Sequence, residues 1–266
     1  IKEAGFNSVM SYSQPTMEQM DMMHDAGLWS MYSIKEFAPN RWKSELQTLE
    51  DEERYIRESV EEFKNHPALL VWYTADEQVV DRVPRIKERQ RLIEKLDPNH
   101  PTWLVNNRHT TTLEFAGTAD IVSDDPYPIP SLDLTSLTRR SRAAARGTMG
   151  LQPFWMVPQI SNKGNYRRPE RSRLHYRAPT YPELQNMAWQ CIANGANGLV
   201  FYSYYDLWIT HMRKQEFFHA QWDRVSKIAG EISDLSPVLL STDPVPELTG
   251  VQTDEELVSY RLWSKD

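Results

Sequence analysis

Two adjacent carboxylates, Asp76 and Glu77, end the apolar run from Leu69 to Ala75. A run so rich in β-formers reads as a strand buried on both faces, and in a parallel α/β sheet the carboxyl ends of the strands carry the reacting groups. Two carboxyl groups held together also raise one pKa by like-charge repulsion, as a proton donor requires. The plainer reading makes Glu77 a first-turn carboxylate facing a helix dipole. Asp125 and Asp206 follow later strand-like runs and are candidates for a second acid or base, although Asp125 before Pro126 also suits a turn. Asn106 and Gln159 supply amides at two further strand ends, while Tyr127, Tyr204, Trp155 and Trp208 supply rings. Tyr12, Lys35, Glu36, His109 and Asp124 fall at equivalent places. A mouth of carboxylates, amides and aromatic rings suits sugars, whose hydroxyls need fixed polar partners and whose apolar faces stack on rings.

The elements that must position these groups alternate along the chain. Strand-like runs are predicted at 6–12, 28–34, 69–75, 102–106, 121–123, 154–159 and 198–205, with amphipathic helical stretches at 16–26, 52–65, 83–96, 132–146 and 181–194. Pro15 and Gly27 bracket the first of those helices, as start and stop signals do. Repeated βα units predict a parallel sheet, and the count predicts an α/β (β/α)8 TIM barrel whose first strand is absent from this chain. An open doubly wound sheet is the competing topology, but no Gly-rich phosphate loop follows an early strand. A closing helix is predicted at 217–235. The barrel is expected to occupy residues 1–236, and residues 237–266, punctuated by Pro and Asp, to begin an accessory β segment.

Composition narrows the function class. A net charge of -7 over 266 residues argues against a nucleic-acid partner. Cys191 is the single cysteine, which excludes an internal disulfide and a cysteine-based zinc cluster. The seven histidines show no paired metal spacing and there is no GxSxG elbow, so neither a metal nor any other cofactor is expected. No apolar segment is long enough to span a bilayer. A secreted or periplasmic location is expected, with any signal lying outside this chain. Lys163, Arg167, Arg168, Arg171, Arg173 and Arg177 crowd a segment whose one acid is Glu170. That loop is either a guanidinium site for a carboxylated or sulfated saccharide, with Arg167 and Arg168 as candidate contacts, or a solvated loop paired with acids elsewhere.

Several segments resemble clan A glycoside hydrolases. The stretch from His66-Pro67 to Asp76-Glu77 resembles the fourth strand of that clan, which ends in the acid/base Glu. Asp97-Pro98-Asn99-His100-Pro101 resembles the turn into the fifth strand, Asp120 to Pro128 the sixth strand, and Gly195 to Tyr204 the eighth. The resemblance implies cleavage of O-glycosidic bonds in an oligo- or polysaccharide, with Glu77 as acid and Asp76 orienting the substrate. Two positions depart from the clan: Asp76 stands where Asn is usual, and Gln159 stands where the nucleophilic Glu is usual. An amide cannot form a glycosyl ester, which leaves three alternatives. Asp124, Asp125 or Asp206 could activate water in an inverting reaction. Asp76 and Glu77 resemble the adjacent pair of substrate-assisted hexosaminidases. Otherwise Gln159 replaces a Glu, or the barrel binds carbohydrate without cleaving it. A lyase or isomerase would need Lys35 or His109 as its base.

Overall fold

The structure, a computed structural model, describes residues 1–35, 48–166, 175–211, 215–245, 247 and 258–265. Among these residues one sheet of seven parallel strands runs in chain order: β1 (Ser8–Met10), β2 (Trp29–Ser33), β3 (Leu69–Asp76), β4 (Thr102–Asn106), β5 (Ile121–Asp124), β6 (Phe154–Met156) and β7 (Gly198–Leu199). The crossovers contain α1 (Met17–Asp25), α2 (Leu49–Phe63), α3 (Val83–Leu96), α4 (Thr135–Gly147) and α5 (Tyr181–Ala193), while α6 (Tyr204–His211) and α7 (Gln215–Leu239) follow β7. Strands that neighbour one another in sequence order, joined by helical crossovers, are the wiring of a (β/α)8 barrel. The sheet curls until Phe6, ahead of β1, meets Phe201, after β7, with ring centroids 5.7 Å apart. At the other end of the same seam Tyr12 meets Tyr202 at 6.3 Å. The fold is therefore α/β, an incomplete (β/α)8 barrel of the kind the sequence predicted.

Local chemistry accounts for the elements. Thr16 with Gln19, Thr48 with Asp51, and Thr180 with Glu183 form reciprocal capping boxes that open α1, α2 and α5. Strand alternation divides the core between two layers. Val71, Tyr73, Trp103, Val105 and Val157 fill the inside of the curl, whereas Trp72 points outward to Tyr32, Phe63 and the helices. An ion pair fixes β3 from behind: the buried Arg89 of α3 donates to buried Glu52 of α2 at 2.6 Å and to the carbonyl of Thr74. That anchor lies two residues before the carboxylates at the strand end.

Several boundaries differ from the sequence expectation, three of them with consequences for the fold. Strand β6 ends at Met156 rather than residue 159, because Pro158 has no N–H for the ladder, yet the extended path continues to a bridge between Gln159 and Tyr202. Strand β7 is two residues long rather than eight, since the chain turns into α6 at Tyr204. Asp206 and Trp208 therefore sit on a helix. Helix α7 runs through Pro237 to Leu239, past the expected barrel end at 236. Residues 248–257 lie outside the described residues, and no strand forms among the described residues after α7. Ser259 nevertheless docks on the barrel, accepting from Asn194 at 2.9 Å.

Candidate active site

At the carboxyl ends of the strands the curl encloses a cleft of about 600 Å³. Glu77 leaves β3 with its N–H still bonded to the carbonyl of Val105 at 2.8 Å, but with φ at 49°. A non-glycine residue in the left-handed region is uncommon and tends to mark a functional turn. Here the turn brings an exposed Glu77 to the cleft lining beside Asp76. Asp76 pairs with the ammonium of Lys35, which lies 3.7 Å from the ring centroid of Tyr12 and 4.8 Å from that of Tyr73. The two carboxylates thus have different settings: Asp76 is tied to a caged cation, and Glu77 is open to the cleft.

Asp125 is the group Glu77 meets. It follows β5, is 5% exposed, and lines the cleft with Glu77, whose carboxyl acts on it electrostatically. Burial first, then the neighbouring carboxyl of Glu77, push the Asp125 carboxyl up to about 9. At neutral pH the pair therefore holds a proton. Asp124 lies fully buried behind it, bonded to the Nε of Arg140 from α4. The same guanidinium donates to the Asn107 carbonyl at 3.0 Å and passes 3.7 Å from Asp125. Burial raises the pKa of Asp124 while Arg140 and His109 oppose the rise. Tyr127 is pushed well up by burial and then by the Asp125 charge.

The other sequence candidates divide. Gln159 lines the cleft, but its carbonyl accepts from the Ile129 N–H at 2.9 Å and its amino group donates to the carbonyls of Ile129 and Ser161, both at 3.0 Å. Both amino hydrogens are taken, so Gln159 clamps the loop after β5 to its own. Asn106 is buried and organises its loop through the Arg108 N–H at 3.0 Å and the Arg108 carbonyl at 3.1 Å; its neighbour Asn107 lines the cleft. Asp206 is fully buried and accepts from Tyr166 at 2.6 Å and from Ser203. Trp155 packs inside the curl against Trp103, their ring centroids 5.9 Å apart. Tyr204 and Trp208 pack edge-on against Phe218 and are not cleft-lining residues. Arg167 and Arg168, with Glu36, lie outside the described residues.

The aromatic wall consists of the expected Tyr127 and Tyr12 together with Tyr73, Trp103, Tyr166 and Tyr202. Arg140 and Lys163 add cations, Lys163 with its ammonium 5.5 Å from the Tyr127 ring centroid. Arg140 was hidden in the sequence among Arg139, Arg142 and Arg146, but the small residues Ser141, Ala144 and Gly147 mark the buried face of that helix. Among the described residues no group of three or more metal-ligating side chains converges, and no helix is long and apolar enough to cross a membrane.

No protein-family model and no curated protein sequence matches the chain. Solved structures do. A β-galactosidase from the psychrophilic Marinomonas ef1 aligns with a TM-score of 0.66 at 12% identity, covering 88% of this chain and 56% of that one. A GH2 β-galacturonidase from Eisenbergiella tayi, bound to galacturonate, aligns at 0.63 and 18%, covering 87% and 46%. A β-D-glucuronidase from Dictyoglomus thermophilum aligns at 0.53 and 18%, covering 76% and 39%. This chain spans between 39% and 56% of the length of these three proteins. At such identities the likeness is one of fold: the chain is built like part of GH2 glycosidases.

Proposed function

We propose that the chain is the barrel of a glycoside hydrolase whose proton donor is the Glu77–Asp125 pair. The observation that carries this reading is the pair itself: a buried carboxyl, raised by burial to about 9, beside an exposed carboxyl in the same cleft lining. Glu77, the exposed member, delivers the proton to the glycosidic oxygen, and Asp125 replenishes it. We read the two electrostatically coupled carboxyls as one unit, rather than as the two separate carboxylates of a retaining or inverting enzyme, which stand about 5 to 9.5 Å apart. It acts as one acid. Asp76, fixed by Lys35, orients the sugar.

An acidic sugar is the substrate class we favour. Lys163 pairs with no acid among the described residues and lines the cleft with Arg140, and the Eisenbergiella tayi protein of like fold is bound to galacturonate. Alkyl β-glycosides of glucuronate, galacturonate and galactose, whose leaving oxygen needs protonation, each incubated with the parent and with Glu77→Gln, test the proposal. Release by the parent and its loss in the variant are expected; equal release by both would remove Glu77 from the reaction. A second reading, binding without turnover, draws on the clamped amide of Gln159. It predicts saccharide affinity with no release from any substrate.

A further inference from the structure

The carboxylates lining the cleft come from the ends of β3 and β5. The facing wall, built after β1, β6 and β7, offers the committed amide of Gln159 and the phenols of Tyr12, Tyr166 and Tyr202. Tyr202 stands beside Gln159, bridged to it across the sheet. Its ring stacks on Tyr127 at 5.4 Å and 28°, and Tyr127 feels the Asp125 charge and lines the same cleft as the acid pair. The Tyr202 hydroxyl lies 3.3 Å from the hydroxyl of Tyr166, which donates to both oxygens of the fully buried Asp206 at 2.6 Å. Phenol, phenol and carboxylate thus follow one another inward from the cleft.

On the glycosidase reading just given, we propose that Tyr202 is the nucleophile of this cleft, with Tyr166 and Asp206 as the relay that takes its proton. A nucleophile hydrogen-bonded to a proton acceptor that a third group orients is the general form of an activated nucleophile, and a tyrosine fills that role in sialidases. Tyr202 Oη attacks the anomeric carbon as the bond to the leaving oxygen breaks. That oxygen takes the proton of the Glu77–Asp125 pair. The Tyr202 proton moves to Tyr166 as the Tyr166 proton moves to Asp206. In the second half water attacks the anomeric carbon and gives its proton to the emptied acid pair, while the relay returns the proton to the departing Tyr202 oxygen. Each group ends as it began, and the product keeps the anomeric configuration. Burial raises the pKa of Tyr202, so the hydroxyl is neutral at rest, while the Tyr12 and Tyr166 hydroxyls beside it oppose that rise.

The test uses dinitrophenyl β-glucuronide and β-galacturonide carrying fluorine in place of the hydroxyl next to the anomeric carbon. Dinitrophenolate leaves without help from an acid, so the nucleophile is read independently of Glu77. Mass spectrometry of the digested protein should find the fluoro-sugar on Tyr202. Tyr202→Phe should abolish the label and lower turnover of unfluorinated substrate at least about 100-fold, and Tyr166→Phe should slow labelling and shift its pH profile. A label on Asp76, Glu77 or Asp125, or an inverted product, would overturn Tyr202 while leaving the glycosidase reading in place. No release of dinitrophenolate from either fluorinated or unfluorinated substrate would overturn both. Labelling of the parent chain decides the question even if Tyr202→Phe folds poorly.

Discussion

Asp125, 5% exposed and beside Glu77 in the cleft, is pushed up to about 9 in the folded chain, whereas an unfolded Asp releases its proton near pH 4, about the usual carboxylate value. The folded state binds the extra proton across that window. Stability from this group is therefore fully present below about pH 4 and is lost as pH rises toward about 9, by up to about 1.4 kcal/mol per unit. Asp125→Asn removes the slope. Denaturant unfolding at about pH 5 and about pH 8 should show the variant gaining on the parent as pH rises, and parallel behaviour would mean that Asp125 does not hold the proton. Glu77 and Asp76 were legible in the sequence because a buried strand delivers whatever follows it to one rim. Gln159 was legible in position but not in role: the bonds that occupy its amide come from Ile129 and Ser161, which no local pattern ties to it. Tyr204 and Trp208 were misplaced for a related reason, since a helix starting at Tyr204 turned them toward Phe218.

At the scale of elements, the site depends on how β3 and β7 are held. Glu52 and Arg89 lock α2 and α3 to the Thr74 carbonyl just ahead of the carboxylates. Arg89→Met would leave Glu52 buried with one partner fewer, and a loss of about 3 kcal/mol is expected from denaturant unfolding; a change under about 0.5 kcal/mol would show the pair to be incidental. Strand β7 needs Gly198 because a Cβ there would lie 2.7 Å from the Trp155 indole. Gly198→Ala should cost about 1 to 3 kcal/mol through overpacking, and an unchanged midpoint would mean that Trp155 moves aside freely. All seven strands were readable as β-rich runs, β4 at both its ends, whereas the ends of β1, β6 and β7 were not. Proline at 158 and the early start of α6 shortened β6 and β7, and both effects depend on ladder partners distant in sequence.

The whole molecule is an incomplete barrel drawn together along one seam. Phe6 meets Phe201 and stacks on Trp222 at 5.9 Å, and Tyr12 meets Tyr202 at the mouth end of the same seam. Phe6→Ala should lower stability by about 2 kcal/mol through lost apolar burial, read as a shifted urea midpoint, and a neutral outcome would mean that this contact does not hold the curl. The parallel order and the curl explain how residues as far apart in sequence as Tyr12, Glu77, Asp125, Gln159 and Tyr202 come to line one cleft. The central claim is that the Glu77–Asp125 pair gives up a proton to a leaving glycosidic oxygen. Its most direct measurement compares kcat/KM of the parent and Glu77→Gln on β-glycosides with a dinitrophenyl and with an alkyl leaving group. A general acid contributes only where the leaving oxygen needs protonation, so the variant should lose about 100-fold to 10,000-fold on the alkyl glycoside and little on the dinitrophenyl one. Equal losses on both, or none on either, would contradict the account.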